Sequence, residues 1–273
     1  MGVRRMEHWL ELGSRCELVG RKWDILDQHH DQAIAYLPYS QLPAQELLEH
    51  IVQQLTHLGV LASDGIVVED RECGNIVDVR AYHPIEAAGR LVGEDLCIME
   101  LQPELGDGYF LTSASVCFPS RWDLTTKIGT SLQAIHQPVP GYGSIAGSAD
   151  RLFDALSVER PVQRVNWTLL NDPELFQPTS ATRTDLHELD PETFGERIFL
   201  RVERQTIVRL PRTQAIVFTI GTSVVSLAEL GPHQRRDLAN SLAEVSDPTQ
   251  RYKGWLGLIP VLQAWAGDSS STV

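Results

Sequence analysis

The sequence predicts an α+β fold. Three observations carry that expectation: helical periodicity near both ends, a middle of short apolar runs broken by Pro and Gly, and two strong strands late in the chain. Those strands are Ile198 to Arg209, which alternates, and Ala215 to Ser223, which is nearly all apolar or β-branched. The turn Leu210-Pro211-Arg212-Thr213 joins them. A helix, sheet, helix order packs as a central antiparallel sheet with short helices on one face, wrapped by the terminal helices.

The elements follow in chain order. Residues 7–37 read as a helix with Trp9, Leu10, Leu12, Trp23, Ile25, Leu26, Ala33, Ile34 and Leu37 near helical spacing, stopped by Pro38. Pro43 to Leu58 reads as a second, with Leu47, Leu48, Ile51, Val52 and Leu55 as its stripe and Pro43 in the first turn. Together they form an N-terminal helical arm, residues 1–60. Gly65 and Gly74 suggest a hairpin, and His83-Pro84 marks a boundary before a short helix to Leu91. Leu96 to Met99 and Tyr109 to Phe118 read as strands, Leu124 to Ile135 and Ser148 to Leu156 as short helices, and Val162 to Leu170 as a strand. Asn171 to Pro191 is polar and reads as a loop. Residues 61–225 thus form the core, and residues 226–273 are expected to pack on it as helices over Leu227 to Leu230, Pro232 to Val245 and Tyr252 to Trp265.

Composition narrows the function. The chain has 273 residues and a formal charge of −13. That balance argues against nucleic acid, which wants a basic face, and against anionic lipid. It suits a cationic substrate or a basic partner. The four cysteines, Cys16, Cys73, Cys97 and Cys117, fit no zinc or iron–sulfur spacing. Cys97 and Cys117 sit in apolar surroundings and read as buried thiols. No stretch approaches the roughly 18 apolar residues of a membrane span. A cytoplasmic location in a reducing compartment is expected.

Four constellations could carry chemistry. His136 ends a short amphipathic stretch and precedes Pro138-Val139-Pro140-Gly141, so its imidazole is held from the C-terminal side. It reads either as a metal or haem ligand or as a helix-capping histidine bonded to a backbone carbonyl. In Leu200 to Thr206, period two puts Arg201, Glu203 and Gln205 on one face, with Arg201 and Glu203 about 7 Å apart along the strand. They can flank one small ligand as donor and carboxylate, or form a solvated ion pair. Arg164 and Asn166 likewise share a face, and Asn166 reads as a pocket amide or as a buried amide bonded to a turn. The segment Cys117 to Trp122 leaves a strong strand and reads as a pocket wall or as core. The adjacent acids Glu94 and Asp95 point in different directions on any element.

Taken in order, several segments resemble one family. They are Glu94 to Met99, Cys117-Phe118-Pro119-Ser120-Arg121-Trp122, Lys127-Ile128-Gly129, Ile135 to Gly141, Arg164-Val165-Asn166-Trp167, Leu200 to Thr206, Leu210-Pro211-Arg212 and Tyr252-Lys253-Gly254. The set is similar to the α subunit of the haem-dependent oxidative N-demethylases, or dimethylamine monooxygenases. The resemblance implies a PAS-like antiparallel sheet holding one haem b, with His136 as proximal iron ligand; Asn166 and Tyr142 are the further residues expected at the cofactor. It implies a distal pocket where O₂ meets a small secondary amine, with formaldehyde as product; the shared strand face makes Arg201 and Glu203 the expected catalytic pair there. The chain has no flavin or NADPH motif and no cluster-forming cysteines, so electrons come from a separate reductase; in the resembled family partner subunits carry flavin and an iron–sulfur cluster. The alternative is a haem-binding PAS-type gas sensor without catalysis.

Overall fold

The computed structural model describes residues 4–5, 9–13, 15–141, 143, 146–179, 190–255 and 257–267. Along the chain run β1 (Arg4–Arg5), α1 (Arg15–Gln28), α2 (His30–Ala33), β2 (Ile34–Tyr36), α3 (Gln41–His57), β3 (Leu61–Ser63), β4 (Val67–Asp70), β5 (Ile76–Asp78) and α4 (Pro84–Gly89). Next come β6 (Asp95–Leu101), β7 (Tyr109–Ser115), α5 (Leu132–His136), α6 (Ala146–Ala155) and β8 (Val162–Leu170). The remainder is α7 (Pro191–Arg197), β9 (Phe199–Arg209), β10 (Ile216–Ser226), α8 (Pro232–Ala243), α9 (Asp247–Lys253) and α10 (Leu258–Gly267). The α+β expectation holds.

The main sheet is antiparallel in the order β1-β8-β9-β10-β6-β7-β2. The long, alternating β9 and β10 occupy its centre, paired over eleven residues from Ile216↔Arg209 to Ser226↔Phe199. A small sheet, β3-β4-β5, turns at Gly65 and Gly74, whose φ values of 91° and 76° favour glycine.

Two expected helices differ in the structure. Residues 7–37 are not one helix: α1 ends at Gln28, and Ile34–Tyr36 form an edge strand on Ser113–Ser115 of β7. A short run such as Ala33-Ile34-Ala35 fits either period, and pairing to an open sheet edge decides it. The helix expected over Tyr252 to Trp265 is divided. Gly254, at φ 73°, caps α9 in the left-handed region, and the chain re-enters helix at Leu258.

Each sheet face buries a separate cluster. On one face Leu96, Ile98, Val208 and Val217 meet the α3 stripe Leu47, Leu48, Ile51 and Leu55 and the α4 residues Ile85, Ala87 and Ala88. On the other, Cys97, Met99, Leu111, Ile207 and Ile216 meet Leu132, Phe153 and Leu156 from α5, α6 and the residue after α6. A third cluster joins Leu169 to Phe194, Trp255, Leu258, Leu262 and Trp265. Both Cys97 and Cys117 are free and buried, and burial pushes each thiol up to about 12. Cys16 and Cys73 form a disulfide, tying α1 to the turn after β4 across a separation of 57 residues. No helix among the described residues is long and apolar enough to cross a membrane.

Helix α4 lies tightly on β7. A Cβ added at Gly89 would stand 2.1 Å from Ser115 Oγ and 2.8 Å from Ser115 Cβ. Gly89→Ala is therefore expected to destabilise the fold by about 1–3 kcal/mol, read by urea denaturation, as overpacking does. The added substitution Ser115→Gly should recover part of the loss; no recovery would mean that the clash lies elsewhere.

Candidate functional site

The strand alternation of β8, β9 and β10 builds the polar part of the site. Cross-strand partners share a face, and the register aligns Asn166 with Glu203 and Glu203 with Thr222, while Arg164 stands opposite Gln205. The Glu203 carboxylate collects three donors. Arg201 Nε reaches Oε1 at 3.2 Å, while Asn166 Nδ2 at 3.2 Å and Gln205 Nε2 at 3.0 Å reach Oε2. Thr222 Oγ1, beside Glu203 across the ladder, is buried without a hydrogen-bond partner.

Arg201 is fully buried and its guanidinium is spread over three acceptors. Besides Glu203 it donates to the Leu175 carbonyl at 3.3 Å and to the Phe118 carbonyl. The solvated ion pair is thus replaced by a clamp that fixes Glu203 from within the protein. The Asn166 amide is bonded to the Glu203 carboxylate rather than to a turn.

Behind Arg201 lies a pair that sequence reasoning passed over. The Asp95 carboxylate accepts the Cys117 and Phe118 amides at 2.8 and 2.9 Å, so it holds the carbonyl-bearing residue that anchors Arg201. Lys22 of α1, fully buried, stands 4.0 Å from Asp95 and donates to the Glu94 carbonyl. Burial raises the Asp95 pKa, opposed by Lys22, by the two amides and by Arg201. Its neighbour Glu94 points elsewhere, to Arg204 at 3.0 Å and to the Glu11 amide. The two adjacent acids do diverge, as expected, and each finds its own partners. No signal in the sequence links Lys22 to Asp95, 73 positions away.

His136 closes α5, which Ser131 caps through a 3.2 Å bond from the Ala134 amide. Its Nδ1 lies 2.9 Å from the Leu132 carbonyl. A carbonyl only accepts, so Nδ1 carries the hydrogen and, in the neutral ring, Nε2 carries the lone pair. Burial lowers the His136 pKa, and the charges of Arg164 and Lys127 lower it further. The capping bond and the ligand role are therefore compatible, since a backbone carbonyl on the second nitrogen is what orients a metal-binding imidazole.

Arg164 connects the two parts. Its charge acts on His136, its Nε donates to Gln205 Oε1 at 2.5 Å, and its guanidinium lies 5.9 Å from the Phe218 ring. Gln205 in turn donates to Glu203. Tyr142 lies outside the described residues. A cavity of about 510 Å³ lies elsewhere, beside Tyr109, Asp154 and Arg209. Its guanidinium is taken up by the Leu156 and Gln214 carbonyls, so the chemical case stays with Glu203 and His136.

These residues suit a haem. Among the described residues no group of three or more His, Cys, Asp or Glu side chains could hold a bare metal ion. A macrocycle brings four ligands of its own and asks the protein for one imidazole whose Nδ1 is bonded elsewhere, the tautomer that the Leu132 carbonyl sets on His136. The unpartnered Thr222 hydroxyl and the clamped carboxylate supply polar groups of the kind a distal pocket uses. The family described as haem-dependent oxidative N-demethylase, alpha subunit-like, matches residues 2–261, nearly the whole chain, and the chain belongs to that family.

Proposed function

We propose that the protein oxidatively removes an N-methyl group from a small secondary amine such as dimethylamine, with haem b ligated by His136. One observation carries the reading most directly. A carboxylate gripped by Arg201, Asn166 and Gln205 lies on a sheet face linked through Arg164 to a neutral, pre-oriented imidazole. The strand order also supports a PAS-like core within residues 61–225. Taking β6 to β10 as strands one to five, the sheet reads 2-1-5-4-3.

Bound haem would supply the redox centre at which O₂ is activated. The chain's own groups do the rest. A secondary alkylamine is an ammonium near neutral pH, and Glu203 offers it a fixed anion. Arg201, bonded to two carbonyls and to Glu203, keeps that anion from turning away when the ligand arrives. Glu203 then accepts the ammonium proton, which frees the nitrogen lone pair. Thr222 Oγ1 contributes a further donor or acceptor beside the acid. In the overall balance, dimethylamine, O₂, two electrons and two protons give methylamine, formaldehyde and water. The electrons come from a separate flavin and iron–sulfur component, and a cytoplasmic location belongs to the same reading.

The test is direct. The haem-loaded protein, given a chemical reductant, O₂ and dimethylamine, is expected to release formaldehyde in proportion to amine consumed. A haem spectrum blind to every small secondary amine, with no formaldehyde, would overturn the reading in favour of a gas sensor.

A further inference from the structure

Helix α1 bears on the lead-in to β6 along its length and is stapled to the small sheet at its start. Arg15, which is buried, donates to the Leu91 carbonyl at 2.8 Å, and the Trp23 indole donates to the Arg90 carbonyl at 3.1 Å. Lys22 donates to the Glu94 carbonyl and stands 4.0 Å from Asp95. A Cβ added at Gly93 would stand 3.1 Å from Leu18, so helix and chain also meet closely there. In the first turn of α1, Cys16 is bonded to Cys73 of the turn after β4. The two sulfurs differ in setting. Cys16 is exposed, whereas Cys73 is half-buried and its Sγ accepts a hydrogen bond from Arg15 Nη1 at 3.1 Å.

We propose that Cys16 and Cys73 form a reversible thiol–disulfide site, opened at Cys16 by a dithiol reductant, whose state sets how firmly α1 holds Asp95 and the Cys117-Phe118 segment. A thiolate attacks a disulfide along the S–S axis, so the exposed sulfur is the one it can reach. The incoming thiolate bonds to Cys16 Sγ, the Cys16–Cys73 bond breaks, and its electron pair leaves on Cys73 Sγ. The hydrogen bond from Arg15, already in place, then meets a charged sulfur. Asp70 accepts from both Nη atoms of Arg15, and Glu72 lies 3.7 Å from Nη1, so the guanidinium acts through this directed N–H and not through net positive charge. The second thiol of the reductant next attacks its own sulfur in the mixed disulfide and releases Cys16. Two electrons and two protons have then passed from the dithiol to the protein. Cys97 and Cys117 stay out of this exchange, because burial pushes both thiols up to about 12. Opening the bond removes a crosslink across 57 residues and leaves the ion pair of Arg15 with Asp70 to hold the first turn of α1 against β4. The loosening reaches Asp95 through Lys22, about two turns along the same helix, and Asp95 carries the Cys117 and Phe118 amides.

The test uses the full-length protein as purified and needs no amine. Brief reaction of the oxidised protein with 2-mercaptoethanol, quenched in acid and followed by peptide mass spectrometry, locates the mixed disulfide. It is expected on Cys16, with Cys73 released. Dithiothreitol without denaturant should reduce the pair completely, and glutathione disulfide should re-form it. Hydrogen exchange then reads the coupling: in the reduced protein the amides of residues 15–28 and those of Cys117 and Phe118 should exchange about tenfold faster. The double variant Cys16→Ser with Cys73→Ser should exchange at the faster rate with or without reductant. A mixed disulfide on Cys73, or a bond that yields only after unfolding, overturns the inference. So does equal exchange at Cys117 and Phe118 in oxidised and reduced protein, which would make the bond a local staple. A double variant that still responds to dithiothreitol would move the effect to other cysteines and overturn it as well.

Discussion

His136→Ala is expected to abolish haem loading. The purified variant, supplemented with haem, should show no protein-bound Soret band, whereas wild type shows one. On the proposed reading, in which His136 would be the iron ligand, its removal should cost more than removing an outer partner of a ligand, which already costs about 10–100-fold in affinity. The fold should survive. His136 is only partly buried, and its Nδ1 bond is to Leu132 within its own short helix. Far-UV circular dichroism should therefore match wild type, and added imidazole should restore part of the band by filling the vacated position. A variant that loads haem with an unchanged spectrum would sink the ligand assignment.

Arg201→Ala is expected to cost the fold about 3–5 kcal/mol, the usual range for stripping one partner from a buried ion pair. Three groups lose a donor together: the Glu203 carboxylate, which keeps Asn166 and Gln205 but loses its cation, and the Phe118 and Leu175 carbonyls. Against a total stability of about 5–15 kcal/mol that is a large fraction. Urea denaturation gives the number. The double variant Arg201→Ala with Glu203→Gln should recover part of it, since the amide leaves no unbalanced charge. Additive losses would instead show that Arg201 works through the two carbonyls and not through the acid.

Much of the fold could be read from periodicity. The stripe Leu47, Leu48, Ile51 and Leu55 marks α3, and alternation through Arg201, Glu203 and Gln205 marks β9 and correctly gathers its polar side chains on one face. Local pattern fails where the deciding contact is remote. Ile34 to Tyr36 carries helical spacing but becomes strand because Ser113 to Ser115 offers an open ladder. Cys16 and Cys73 meet only because α1 lies beside β4. Within the site, Glu203, Asn166 and Gln205 were legible on their strands, whereas Lys22 behind it and Lys253 outside it were not. A lysine on a helix looks like surface, and only tertiary packing sinks one under Glu94 and the other against Trp255. For His136, the two prolines showed that an imidazole could be aimed, and the family resemblance supplied what it is aimed at.

The divergence of Lys22 and Lys253 to opposite ends of the chain has a practical consequence for dissecting the protein. Each lies outside residues 61–225, yet Lys22 stands 4.0 Å from Asp95 and Lys253 donates to the Trp167 carbonyl on the edge of β8. A fragment trimmed to the central sheet and its own helices would carry Asp95 into the interior without its Lys22 cation and would leave the Trp167 and Leu169 carbonyls of β8 without the donors that Lys253 and Trp255 supply. Such a fragment is expected to be recovered as insoluble material, and adding the two missing ends as separate peptides is the complementation experiment that the arrangement invites.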